Sequence, residues 1–199
     1  MNGSLYAEHD NSLRIDQNFY GTIGEQFQLV SYFFEQKDRD MSEYDYFEFG
    51  IGLQYQTPLT WLSILPYYQQ SYTRGNDDRW LMEKKPSINI NTSFIISHLK
   101  IYDQIRYEYR ITPEWEDYRI KNYLEFSLHD IFLQPGLGWE LYYEDHDKDI
   151  MLNRIKFGIS RNVYTSITLG TYYRIDFAKI NDRWEFTRQL IGFQVTLKY

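Results

Sequence analysis

Charge returns at every second residue from Arg106 to Arg110, with Glu108 between the two arginines. The same spacing recurs in Arg119 and Lys121, in Arg154 and Lys156, and in Arg174 and Asp176. Glu125 and Glu140 fall on the charged parity of their own segments. Side chains two apart along a strand point to one face, so this spacing gathers cations and carboxylates on one side of a sheet. Two kinds of chemistry follow. The opposed charges can brace one another as ion pairs. Alternatively, an arginine-rich wall can line a narrow passage for small polar or anionic solutes.

A second set of residues carries different chemistry. Asp77-Asp78, Glu114 with Glu116 and Asp117, and Asp145-His146-Asp147 cluster in turn-like stretches. Carboxylate oxygens suit Ca²⁺, but solvated loops use the same residues, and no metal or cofactor is expected. His146 beside a carboxylate can activate water. Together with Asp77-Asp78 it supports an alternative, a surface-facing hydrolase of the omptin-protease or lipid-modifying kind. Ser127 and His129 share a parity but have no third partner, so no catalytic residue is assigned.

These residues need strands to position them. Turn signals cut the chain into about ten strand-like segments. They are Glu25–Gln36, Glu43–Thr57, Thr60–Tyr72, Arg79–Asn91, Leu99–Ile111, Glu116–Leu128, Pro135–Asp145, Met151–Arg161, Tyr164–Asp176 and Trp184–Tyr199. Each exceeds the ~5–6 residues usual in soluble sheets and reaches the ~9–11 of a tilted membrane strand. The connections alternate in kind. Thr57–Thr60, Asn91–His98, His129–Gln134 and Arg161–Val163 carry little charge. Lys37–Asp40, Arg74–Asp78, Thr112–Glu116, Asp145–Asp149 and Lys179–Arg183 are densely charged. Short turns on one rim and longer polar loops on the other are the outer-membrane barrel arrangement.

The faces sharpen this reading. Ile105, Tyr107 and Tyr109 oppose Arg106, Glu108 and Arg110. Phe49, Ile51 and Leu53 oppose Glu48, Gly50 and Gly52. The glycines of these segments lie on the charged face, where a crowded lumen needs small residues and an open surface does not. The expectation is therefore apolar side chains outward and ions inward. Asp103 breaks the apolar face, and it is predicted near the short-turn rim or turned inward by a bulge. Glu25–Gln36 and Thr60–Tyr72 alternate poorly and leave their register open. Tyr, Phe and Trp make up 19% of the chain, an excess suited to interfacial girdles. The net charge of −7 excludes the basic stripe of a nucleic-acid binder. Without cysteine there is no disulfide or thiolate chemistry.

The last strand-like segment ends with Phe193, Val195, Leu197 and Tyr199 on alternate positions. That ending is expected to serve as the signal read by the barrel-assembly machinery. Met1-Asn2-Gly3-Ser4 lacks the basic start and apolar run of a secretory signal, so the sequence reads as a mature chain with Met1 an added start. Residues 1–24 contain a strand-like stretch, Leu13-Arg14-Ile15-Asp16 followed by Asn18-Phe19-Tyr20-Gly21; as a strand it makes the count eleven or twelve, and otherwise the segment is expected at the periplasmic rim or inside the lumen.

The spacing of Arg106-Tyr107-Glu108-Tyr109-Arg110, then Tyr118-Arg119-Ile120-Lys121, then Asn153-Arg154, resembles the bacterial domain of unknown function 2490 family. The resemblance runs from about Glu25 to Tyr199 and implies an outer-membrane β-barrel, with no catalytic residues to carry over. More loosely, the charged face looks like the lumen of oligosaccharide porins of the oligogalacturonate type.

The sequence thus predicts one domain, residues 1–199. It is an all-β, antiparallel, up-and-down transmembrane β-barrel of about ten strands, with twelve as the alternative. Its expected place is the bacterial outer membrane, among lipid and lipopolysaccharide, with no nucleic-acid partner. The expected function is a narrow pore or a structural barrel, with the hydrolase and an accessory subunit of a larger outer-membrane complex as alternatives.

Overall fold

The structure, a computed structural model, describes residues 10–38, 41–75 and 78–199. Eleven strands close into one barrel. They are β1 (Asp10–Thr22), β2 (Phe27–Asp38), β3 (Glu43–Gln56), β4 (Leu62–Arg74), β5 (Trp80–Ile96) and β6 (Leu99–Ile111). Then come β7 (Glu116–Leu128), β8 (Gln134–Glu144), β9 (Asp149–Tyr164), β10 (Ile167–Ile180) and β11 (Arg183–Lys198). Sequential neighbours pair antiparallel, and β1 closes against β11 in parallel, from Asp10 opposite Arg188 to Tyr20 opposite Lys198.

The count of ten and its alternative of twelve are therefore corrected to the eleven that follows when the N-terminal stretch is a strand, and the all-antiparallel pairing is corrected as well. The strand-like stretch from Leu13 to Gly21 is part of β1, not a rim or lumenal plug, while residues 1–9 lie outside the described residues. An odd count points the first and last strands the same way, so the seam has to be parallel. The outward positions of β1 are Asn11, Leu13, Ile15, Gln17, Phe19 and Gly21, and their polar interruptions hide the alternation. Because the chain has no cysteine, the seam is directly testable. Ile15 and Phe193 are partners across it, so Ile15→Cys with Phe193→Cys should form an intramolecular disulfide under copper-catalysed oxidation. Ile15→Cys with Ile159→Cys, on the distant β9, should stay reduced. A linked distant pair with an unlinked seam pair would refute the parallel closure.

The turns need a second correction. Charge is sorted by rim as expected, with Asp78, Glu114, Asp145, Asp147 and Asp182 at the rim carrying the β2–β3 turn, here called the upper rim. Length is not sorted: no connection at either rim exceeds five residues, because the strands run further than the turn signals suggest. β5 continues to Ile96, leaving only Ser97-His98 before β6. At the upper rim Asn181-Asp182 joins β10 to β11 with both φ angles positive, 49° and 62°. That is the two-residue hairpin geometry that Asn and Asp tolerate.

The faces are inverted relative to a water-soluble barrel. Phe157 is 51% exposed on the outside, Ile105 46% and Phe193 50%, whereas Glu108 is 0% exposed inside and Lys85 2%. Phe49 also faces outward, so these side chains do not form a dry centre. Asp103 faces outward as well, four residues above the lower end of β6, and no bulge turns it inward. Asn122 on the neighbouring strand donates to its carboxylate at 2.7 Å.

Inside, tyrosines lie across glycines of adjacent strands. A Cβ on Gly192 would meet the Tyr172 ring at 2.1 Å, and one on Gly138 would meet the Tyr123 hydroxyl at 2.7 Å. The lumen also holds a small apolar wedge of Val30, Leu65 and Tyr67, flanked by Tyr20 and Tyr32. Those inward apolar residues of β2 and β4 explain why the two segments alternate poorly. Pro66 and Pro86 each lack a backbone donor, and the β3–β4 and β5–β6 ladders skip residues beside them.

Candidate functional site

The charged residues singled out from the sequence, Arg106 through Arg174, project into the lumen from β6 to β10. All of them line an upper cavity of about 670 Å³ except Glu108, which is sealed behind it. The period-two spacing on adjacent antiparallel strands brings them together. Arg106 stands opposite Lys121, and Glu108 stands opposite Arg119.

Glu108 is the hub of this cluster. Its Oε2 accepts from Arg119 Nε at 2.8 Å and Nη2 at 2.6 Å. Its Oε1 faces Lys121 Nζ at 3.0 Å and Arg106 Nη1 at 3.5 Å. One carboxylate thus neutralises the inner ends of three cations. A second hub is Asp176, which accepts two bonds from Arg174 at 2.7 and 2.9 Å and pairs with Arg154 at 3.3 Å. Arg154 also reaches Glu140 at 3.3 Å. Arg110 bridges Glu83 and Glu144, the latter at 3.3 Å.

Sequence reasoning missed a third hub. Glu48 pairs with Lys85 and accepts from Tyr32, from Tyr46 at 2.6 Å and from Gln69 at 3.0 Å. Glu48 was on the expected inward face, but its partners were not. Lys85 belongs to the polar series Glu83, Lys85, Ser87, Asn89 and Asn91, a period-two signal present in the sequence. It is blurred because Lys84 and Pro86 interrupt the opposite face. Arg14 and Asp16, paired at 2.7 Å, lie in the strand-like stretch of β1 but were not placed on the lumenal face.

The upper cavity is electrostatically lopsided. Its lining includes ten Arg or Lys side chains and five carboxylates, because hubs such as Glu108 and Asp176 sit behind the wall rather than on it. Such a surface raises the local concentration of anions. A lower cavity of about 680 Å³ has a different lining, mostly amides, hydroxyls and aromatic rings such as Gln54, Gln56, Asn91 and Tyr102. The lumen is thus a strongly cationic chamber above a more sparsely charged polar one, whose lining still sets Lys100, Lys156 and Lys198 against Glu125.

The hydrolase residues are not assembled in this way. Asp77 lies outside the described residues, and Asp78 is held by Arg74 at 3.0 Å. His146 is in the β8–β9 turn, with β6 and β7 standing between it and the turn that carries Asp78. At the lower rim His129 Nε2 lies 3.1 Å from Asp130, and Ser127 and His129 both line the lower cavity. Among the described residues no group of three acidic or histidine side chains is placed to hold a metal ion.

Phe193, Val195 and Leu197 face outward on β11 in register with Ile15, Gln17 and Phe19 of β1, and Tyr199 is exposed beyond the strand's end. No protein-family model, curated protein or solved structure matches this chain.

Proposed function

We propose that this chain is a bacterial outer-membrane barrel that passes small polar solutes, with anions favoured. The observation that carries the reading is the inversion of the wall. An apolar exterior surrounds a charged interior that still holds two sizeable cavities. A water-soluble barrel gains from the opposite order, since exposed apolar area is unfavourable and buried charge is costly. In a bilayer the exterior would meet hydrocarbon, and the closed ladder would leave no backbone edge in it. Bacterial single-chain barrels carry even strand counts, but an odd-stranded mitochondrial barrel shows that an odd count is compatible with membrane closure.

The partners that follow are outer-membrane lipid, lipopolysaccharide and, during biogenesis, the barrel-assembly machinery reading the Phe193–Tyr199 end. The cationic upper chamber sets the selectivity. In a planar bilayer with a salt gradient, the refolded protein is expected to give small discrete conductance steps, with a reversal potential on the anion side. Arg106→Gln with Arg110→Gln should move that potential toward zero. A silent bilayer, with folding verified by heat-modifiable mobility, would reject the pore.

A further inference from the structure

The two cavities are not stacked on the barrel axis. They share ten lining residues, and every one belongs to β7, β8, β9, β10 or β11; none comes from β1 to β6. The β1–β6 side is filled between the chambers by the Val30–Leu65–Tyr67 wedge, with buried Gln69 and Asn89 behind it. The β7–β11 side is cleared by small residues. Gly170 in the shared wall leaves open space, since a Cβ there would sit no closer than 3.4 Å to its neighbours, whereas Gly138 makes room for the Tyr123 ring. The junction is therefore a neck pressed against one wall.

One cation stands in that neck without a carboxylate. Lys156 lines both chambers, and its ammonium lies 4.1 Å from the centre of the Tyr172 ring. Among the described residues no carboxylate oxygen comes within 4 Å of it, unlike Lys85, Lys121, Arg154 or Arg174. Nearby acids are committed elsewhere: Asp16 takes Arg14 and the Tyr172 hydroxyl, and Glu125 takes the Tyr123 hydroxyl. A cation stacked on an aromatic ring keeps its remaining donors directed away from the ring. Here they are available to the space the solute would cross.

We infer that solutes cross by an eccentric path along the β7–β11 wall, and that Lys156 is the station that binds a small oxyanion, a carboxylate or phosphate, at the neck. This rests on the pore reading and adds the route, the residue and the ligand class. The cationic upper chamber gathers anions, Lys156 hands them through, and the more sparsely charged lower chamber releases them.

The test uses single substitutions in the full chain, with chloride, acetate and inorganic phosphate as probes. Lys156→Gln should lower the anion-over-cation permeability ratio about tenfold, the effect of losing one close charge. It should also abolish block of chloride current by millimolar phosphate, while Lys156→Arg retains both. Independently, Gly170→Cys should react with a charged methanethiosulfonate reagent and lose current. Gln69→Cys, on the filled side, should be unreactive by mass spectrometry and keep its current. Unchanged selectivity in Lys156→Gln, or an inert Gly170→Cys in a conducting protein, would overturn the inference and leave the pore standing. Silence of the wild type and of every variant would instead remove the pore, and this route with it.

Discussion

Glu108→Gln should cost the barrel about 3–5 kcal/mol, the usual loss when one partner of a buried ion cluster is neutralised. Glutamine keeps the volume, so the effect is electrostatic rather than steric. Arg119, Lys121 and Arg106 would face a neutral amide in place of the carboxylate they now surround at 2.6–3.5 Å. Glu108 is fully enclosed, and its three partners keep only 11–17% exposure, toward the upper cavity, so little solvent is at hand to replace the lost carboxylate. The measurement is the urea midpoint of the refolded protein in detergent micelles, read by tryptophan fluorescence and by heat-modifiable mobility. Glu144→Gln is the comparison. That carboxylate is 26% exposed, and its arginines have Glu83 and Glu108 as well. It should lose no more than about 1 kcal/mol, as partly solvated pairs do. Equal losses in the two variants would mean that Glu108 is not the hub.

The contrast between these two glutamates marks what the sequence can and cannot carry. Leu99–Ile111 and Glu116–Leu128 are read from the pattern with the bounds that β6 and β7 have. Their apolar and charged positions alternate almost without interruption, and Glu108 could be placed inside on that basis. That Glu108 rather than Glu144 anchors three cations depends on depth along the barrel, which parity does not encode. β1, β2 and β4 were obscured for a different reason. Their lumenal positions include Val30, Phe34, Leu65 and Tyr67, and their outer positions include Gln17, Ser31, Glu35 and Gln70. A barrel whose interior carries its own apolar wedge weakens the very contrast from which strands are read. The parallel seam was hidden for the same reason: the stretch from Leu13 to Gly21 was visible as strand-like, but its weak alternation did not decide between a strand and a plug, and only β1 as a strand makes the count odd. The eccentric neck is further still from the sequence, being the space left after side chains on eleven strands are packed.

Phe157→Arg turns the orientation of the wall into a measurable sign. Phe157 sits midway along β9 and is half exposed on the outer face, as is Ile105 near the middle of β6. In water, exchanging an exposed phenylalanine for arginine changes stability by no more than about 0.5 kcal/mol and improves solubility. In a bilayer the same exchange places a guanidinium among acyl chains and costs roughly 2–4 kcal/mol near the midplane. Unfolding from lipid vesicles should therefore show that loss for Phe157→Arg and for Ile105→Arg. Tyr164→Arg, at the lower end of β9, should lose about 1 kcal/mol or less, since the penalty fades toward the interface. A depth-dependent cost is the signature of hydrocarbon, because no aqueous surface grades its tolerance of arginine by height along a strand. If all three variants fold from water as well as the parent chain and none is penalised in vesicles, the apolar exterior is covered by something other than lipid, and the pore proposal loses its setting.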